Sequence, residues 1–373
     1  MSFLGFFSKL CGRIRVSAII GFVGGLVLGL AARIGRFCTL SAIEDAVFVA
    51  DYRRLRMWGL AIAVAITGVA GLQAAGLFAP EHSFYLNAPP SLLATILGGL
   101  IFGFGMALVG TCGFGALARM GGGDLRGFII VLTLAVSAAM AMHGATAIAR
   151  AMIFEPSSAD VAIENASLAY GLAAIVGVQP WAVAGAVGIA LAAYLLRDRA
   201  FRATPRYWFW GAASGLAVVF AWASTEHLAA ETLGATSVES FTFVGPVADT
   251  LLYVMTMSGS QINFGVGAVA GVLVGSAIGA LSKGEFRWEA CDDPRELRRQ
   301  LLGAFLMGTG GVLSLGCTIG QGLSAASLLA VSAPIALLSM FAGAWIGLQY
   351  LVQGSLTGPL RAILRDALSA TPK

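Results

Sequence analysis

Three cysteines, Cys38, Cys112 and Cys317, sit in settings alike enough to be considered together. They occur within Gly35-Arg36-Phe37-Cys38-Thr39-Leu40-Ser41, Val109-Gly110-Thr111-Cys112-Gly113-Phe114-Gly115 and Leu315-Gly316-Cys317-Thr318-Ile319-Gly320-Gln321-Gly322. In each, an apolar run ends and a turn rich in Gly, Ser or Thr begins. A thiol is a weak S–H donor on a soft, polarisable atom, and it is also a small hydrophobe that packs readily between helices. For any one of them packing explains the residue as well as chemistry does; three in like settings, two of them related by an internal repeat, favour chemistry. No two lie at the spacing of a zinc or redox site, so neither metal nor cofactor is expected. Cys11 and Cys291 lie in polar flanks and carry no expectation.

The chemistry that fits is a series of stations for a small anion. An anion in a low-dielectric path needs donors at every step, whereas a fixed Lys or Arg in mid-path is costly to bury and holds its ligand too tightly. Backbone N–H groups at helix N-termini, reached where glycine lets the chain come close, and thiol S–H groups offer several shallow sites instead. Thiols also match an anion with a soft terminal sulfur better than hydroxyls do. Thr111, Gly113, Thr318 and Gln321 stand beside the cysteines as candidates to orient the anion. Capping of local turns is the commoner role for such hydroxyls. Glu44 and Asp45 follow Ser41 at capping-box spacing and read as caps of a short helix. Arg53, Arg54 and Arg56 read as topology anchors. His82, His143 and His227 have no partner pattern.

Those turns must be positioned by membrane-spanning elements. Across 373 residues, 58% are hydrophobic and 11% charged, with a mean hydropathy of +0.85, which leaves too little polar surface to cover a water-soluble globule. The lipid bilayer is the solvent, and the net charge of +4 implies no nucleic-acid partner. The apolar runs are long and continuous, unlike the short alternating segments of a barrel. An all-α integral membrane protein with about nine transmembrane helices is expected, plus short re-entrant helices. The spans fall near 16–35, 57–78, 92–111, 127–149, 170–196, 207–228, 262–282, 299–316 and 328–352. The stretch 229–261 is too short in its apolar part and reads as re-entrant or interfacial.

Charge orients this arrangement, because cytoplasmic loops carry the excess of Lys and Arg. Segments 33–56, 119–126, 197–206, 283–299 and the C-terminal tail hold 19 of the 23 basic residues. Their side should be cytoplasmic, together with the C-terminus, and the N-terminus should lie outside. An internal repeat is also legible: Leu97-Gly98, Gly103-x-Gly105 and Cys112-x-x-Gly115 recur 205 residues later as Leu302-Gly303, Gly308-x-Gly310 and Cys317-x-x-Gly320. A fainter echo links Gly21-x-x-x-Gly25-Leu26 to Gly211-x-x-x-Gly215-Leu216. With a first repeat over about 16–149, a linker helix over about 170–196 and a second repeat over about 207–352 in one transporter domain, the second half enters from the opposite face. That is a pseudo-two-fold inverted repeat, with its site expected at the repeat interface.

At these residues the chain resembles the YeeE/YedE family of bacterial membrane proteins, over nearly its whole length. The resemblance is carried by Arg36-Phe37-Cys38, by Gly103-Phe104-Gly105 through Thr111-Cys112-Gly113, and most specifically by Gly316-Cys317-Thr318-Ile319-Gly320-Gln321-Gly322. The family implies an hourglass-shaped helix bundle in the inner membrane that takes up thiosulfate, passing it between cysteine thiols by transient hydrogen bonds without covalent chemistry. Carried onto this chain, Cys317 is nearest the periplasm, Cys112 central and Cys38 toward the cytoplasm. Some relatives are linked to selenium or to other sulfur compounds, and a small cytosolic sulfur-carrier protein often accompanies the family. Two other readings stay open: a membrane thiol enzyme of sulfur transfer, and a carrier or channel for another sulfur or selenium oxyanion. The enzyme needs a thiolate activated by a neighbouring base or cation, which the sequence does not put beside Cys112 or Cys317, so no enzymatic activity is expected.

Overall fold

Lipid offers no partner to a free backbone N–H or C=O, and the chain satisfies these groups with helices throughout. The computed structural model describes residues 3–87, 91–154, 167–232, 234, 236–257, 261–290 and 293–354, with side chains from residue 15 onward. Cys291 and the C-terminal tail therefore lie outside the described residues, as does the side chain of Cys11.

The first half contains α1 (Phe3–Arg33), α2 (Thr39–Glu44), α3 (Arg53–Ala74), α4 (Phe84–Asn87), α5 (Leu92–Val109), α6 (Gly113–Gly121), α7 (Leu125–His143) and α8 (Ala145–Phe154). There follow α9 (Leu168–Val176), α10 (Pro180–Leu196), α11 (Arg199–Arg202), α12 (Pro205–Glu231), α13 (Val244–Met255), α14 (Phe264–Ser282), α15 (Pro294–Leu313) and α16 (Ser332–Gln353). Local chemistry sets many of the ends. Asp124, Asn263 and Asp293 accept from the first-turn N–H groups of α7, α14 and α15, and proline opens α10, α12 and α15, where its missing N–H costs nothing. Around Ser41 the expected cap is displaced: Cys38 is the N-cap of α2 and Ser41 lies inside that helix. Asp45 closes it and pairs with Arg54 at 3.1 Å.

Among the described residues, six helical stretches are long and apolar enough to cross a bilayer: Arg15–Arg33, Arg53–Ala74, Leu92–Gly121, Leu125–His143, Phe264–Ser282 and Ser332–Gln353. The span expected over 170–196 is instead two helices, α9 and α10, bent by 111°. The cause is local, since Gly177 takes a φ of +73° and Pro180 starts the next helix. Helices also form at the expected 207–228 and 299–316, as α12 and α15, but they are less apolar than the six. Within 229–261 the apolar part forms α13, whose 12 residues are shorter than a span.

Packing relies on glycine, because lipid tails are as apolar as Leu and helices gain most by approaching closely. Gly21, Gly25 and Gly29 of α1 lie on the backbone of α14 at Phe264, Ala268 and Val272. In return Gly267, Gly271 and Gly275 lie on Ala18, Phe22 and Leu26, so these two helices run parallel. Between α5 and α15 the approach is antiparallel: a methyl group added at Gly98 would lie 2.8 Å from the Gly310 carbonyl oxygen, and one at Gly303 2.7 Å from that of Gly105. Helix α3 packs on α12 and α10, α5 also on α16, and α15 also on α7. Gly271→Ala should cost about 1–3 kcal/mol by overpacking, read as a lower melting temperature of the detergent-purified chain. Gly71→Ala, which faces open space, should stay within about 0.5 kcal/mol of the native chain.

Candidate functional site

Two of the three cysteines occupy equivalent places in local structure. Helix α5 ends at Gly110 in the left-handed conformation, φ +79°, and Cys112 then caps α6, its Sγ accepting the N–H of Gly115 at 3.4 Å. Past the Ser314 cap of α15, Leu315 takes the same left-handed conformation, φ +57°, and Cys317 leads into the next helical turn with its Sγ accepting the N–H of Gly320 at 3.5 Å. A leucine at positive φ is strained where glycine is not, and such strain gathers at functional sites. Both thiols are buried, Cys112 at 0% and Cys317 at 1% exposure, and all three cysteines are free. Cys112 is the common neighbour, with Cys38 and Cys317 both within electrostatic reach of its sulfur.

Glycine is required where the thiols meet the backbone. A methyl group at Gly115 would collide with the Thr111 hydroxyl, and one at Gly320 would lie 2.5 Å from Thr242 Oγ1 and 2.9 Å from the Tyr85 hydroxyl. Thr242 Oγ1 is itself 3.9 Å from Cys317 Sγ, a contact that either atom can donate. Sequence reasoning passed over Thr242 and Tyr85 because Thr242 falls in the weakly patterned stretch before α13 and Tyr85 in a polar connection.

The other expected residues divide. Thr111 is buried and borders the same cavity as Cys38. Thr318 is buried with its hydroxyl facing Cys112, and among the described residues that hydroxyl has no hydrogen-bond partner of normal geometry. Gly113 opens α6 and packs toward Leu134 of α7. Gln321 is fully buried, its Nε2 donating to the Ser314 carbonyl at 2.7 Å while its Oε1 accepts from the Ser332 hydroxyl at 3.4 Å. Its amide thus ties the Cys317 turn to α15 and α16. Glu44 and Asp45 close α2, outside the thiol series.

Two cavities flank the thiols. One, of about 300 Å³, is bordered by Cys38, Thr111, Arg33, Arg36, Arg54 and Arg119. The other, of about 320 Å³, is bordered by Tyr85, Thr242, Gly316, His143 and Arg150. The first is bordered by Ala118 and Arg119 of α6, whose neighbours Ala116 and Met120 pack on Gly127 in the first turn of α7, and the second reaches His143 at the far end of α7, whose 19 residues extend about 28 Å at the helical rise. The cavities therefore sit toward opposite ends of the bundle, with Cys38 in one and the Cys317 turn in the other. The arginines at the first were read only as loop charges in the sequence.

Such geometry can present weak donors in series to a small anion: thiols at helix N-termini, backbone N–H groups and the Thr318 hydroxyl. Gly320→Ala, whose methyl would meet the Thr242 and Tyr85 hydroxyls, should cost about 1–3 kcal/mol by overpacking, read as a lower melting temperature of the purified chain.

Comparison with known proteins bears on the same residues. The chain is 29% identical over 344 residues to the thiosulfate transporter TsuA of Escherichia coli strain K12, covering 87% of this chain and 92% of that protein. It is 25% identical over 335 residues to the thiosulfate transporter TsuA of Spirochaeta thermophila, covering 87% of this chain and 96% of that one. The sequence pattern described as sulphur transport matches residues 34–346, which include all three cysteine turns, and the chain belongs to that family, the YeeE/YedE proteins.

Proposed function

We propose that this chain takes up thiosulfate across the bacterial inner membrane, passing it from Cys317 through Cys112 to Cys38 by transient hydrogen bonds. One observation carries the reading: two buried thiols cap helix starts in the same way, and the third borders a cavity that the Cys112 turn also lines, at the end opposite the cavity of the Cys317 turn. The terminal sulfur of the anion meets the thiols while its oxygens take backbone N–H groups and the Thr318 hydroxyl beside Cys112. No bond is made or broken. The relatives named for thiosulfate transport support the substrate.

The proposed frame is nine spans in an inverted repeat, over about 16–149 and 207–352 with a linker helix over about 170–196. Support comes from contacts that exchange partners between the halves. Gly21 and Gly25 of α1 lie on Phe264 and Ala268 of α14, while Gly211 and Gly215 of α12 lie on Met57 and Ala61 of α3. Gly98 meets Gly310 just as Gly303 meets Gly105. The six apolar spans, the bent pair, α12 and α15 together make nine. The basic segments orient Cys38 and the C-terminus toward the cytoplasm and the N-terminus and Cys317 toward the periplasm. A small cytosolic sulfur-carrier protein would receive the anion on the inner side.

The test is growth, on thiosulfate as sole sulfur source, of a bacterium lacking its own sulfate and thiosulfate uptake. The native chain should support growth, and Cys112→Ala or Cys317→Ala, expressed to equal level, should reduce it to background. Growth undiminished in both variants would make the cysteines packing residues; full activity of Cys112→Ser and Cys317→Ser would favour a carrier of other oxyanions without thiol selection.

A further inference from the structure

The cavity beside Cys38 holds more positive charge than a thiol path needs. Arg33, Arg36, Arg54 and Arg119 all border it, against one lining carboxylate, Glu285. Two of the four are engaged: Arg54 pairs with Asp45 at 3.1 Å, and Arg119 donates to the Gly110 carbonyl at 2.9 Å. Arg33 donates one Nη2 bond to the Glu285 carbonyl at 3.4 Å, and its Nε, like Arg206 Nη2, is buried without a partner among the described residues. Arg36 is exposed within the cavity and makes no ion pair or hydrogen bond among the described residues. Two further cations back the group, since Arg206 Nε and Lys283 Nζ both donate to the Ile34 carbonyl, at 2.5 and 3.3 Å. Burial, then repulsion from Arg206, Arg36 and Arg33 against attraction to Glu285, holds the Lys283 ammonium below its usual range.

Like charges gathered beside a low-dielectric interior, with N–H groups unsatisfied, are costly unless an anion completes them. Guanidinium presents paired donors that fit the oxygens of a tetrahedral anion. We propose that this cavity is a second anion site, which takes a divalent tetrahedral oxyanion on Arg33 and Arg36, with Arg54 and Arg119 at its rim. It deepens the uptake reading by adding an exit station after Cys38. The chemistry differs from that of the thiols: arginines read charge and oxygen, not soft sulfur, so sulfate should bind here as readily as thiosulfate.

The experiment is calorimetric titration of the purified full chain with sodium sulfate at low ionic strength. One sulfate should bind per chain, and Arg36→Gln should weaken it by about tenfold or more. Arg36→Lys, which keeps the charge but not the fork, should lose less, and Arg298→Gln, an equal charge loss on the exposed start of α15, should change nothing. Arg33→Gln should act in the same direction, but Arg33 also packs against Gly122 and Gly279, so Arg36→Gln, with its melting temperature checked in the absence of sulfate, is decisive. No sulfate binding, binding indifferent to Arg36→Gln, or an equal loss in Arg298→Gln would overturn the site. If sulfate binding follows Arg36 while the native chain moves no thiosulfate, the uptake reading fails and the site stands; if thiosulfate moves and sulfate ignores Arg36, the site alone fails.

Discussion

The rest of the structure depends on how a helix can be broken inside a membrane without leaving its backbone bare. Each break exposes N–H groups that water would satisfy in a soluble protein and that lipid leaves empty. Here sulfur supplies an acceptor: the thiols of Cys112 and Cys317 accept from the N–H three residues on, at 3.4 and 3.5 Å. Because the same atoms can donate S–H outward, the groups that make the breaks tolerable are also the groups that can meet an anion. Structure and chemistry are therefore not separable at these positions. A substitution that removes the thiol also leaves a buried N–H without its partner.

Glycine enters as the second requirement, and for a different reason at each level. Along α1 and α14 it permits a parallel approach close enough for backbone to touch backbone. Across α5 and α15 it permits the antiparallel contact through Gly98, Gly105, Gly303 and Gly310, which holds the two cysteine turns in one frame. At Gly115 and Gly320 it leaves the space that Thr111, Thr242 and Tyr85 occupy beside the sulfur. The 49 glycines of the chain are thus not a composition bias of membrane helices alone.

Much of this was legible in the sequence, because membrane helices announce themselves by apolar length and because repeated Gly and Cys positions keep their spacing. The helix starts at Cys112 and Cys317 and the family followed from those signals. What escaped was set by tertiary placement. Gln321 reads as a polar group free to meet an anion, yet its amide is used by Ser314 and Ser332, partners 7 and 11 residues away. The run 170–196 reads as one span because hydropathy does not register the turn that Gly177 and Pro180 enforce. Arg33, Arg36, Arg54 and Arg119 come from α1, the turn after it, α3 and α6, and only the packing of those elements gathers them round one cavity.

That gathering bears on why, on the proposed path, thiols would suit the middle and guanidinium the end beside Cys38. A hydroxyl cap contributes about 0.5–2 kcal/mol to a helix start, whereas sulfur is a weaker acceptor and a weaker donor. On the proposed path an anion arriving at Cys112 or Cys317 would therefore compete for the capped N–H against little, and on leaving would return the cap to a partner that waits in place. Each such station would be shallow in both directions, as transit across a low-dielectric region requires. At the proposed site beside Cys38 the need would reverse: several arginines would share the charge, and an anion held there would not step back to Cys38. On that proposal, weak soft donors along the path and strong hard donors at its end are two answers to one problem, the cost of moving a hydrated dianion through a place without water.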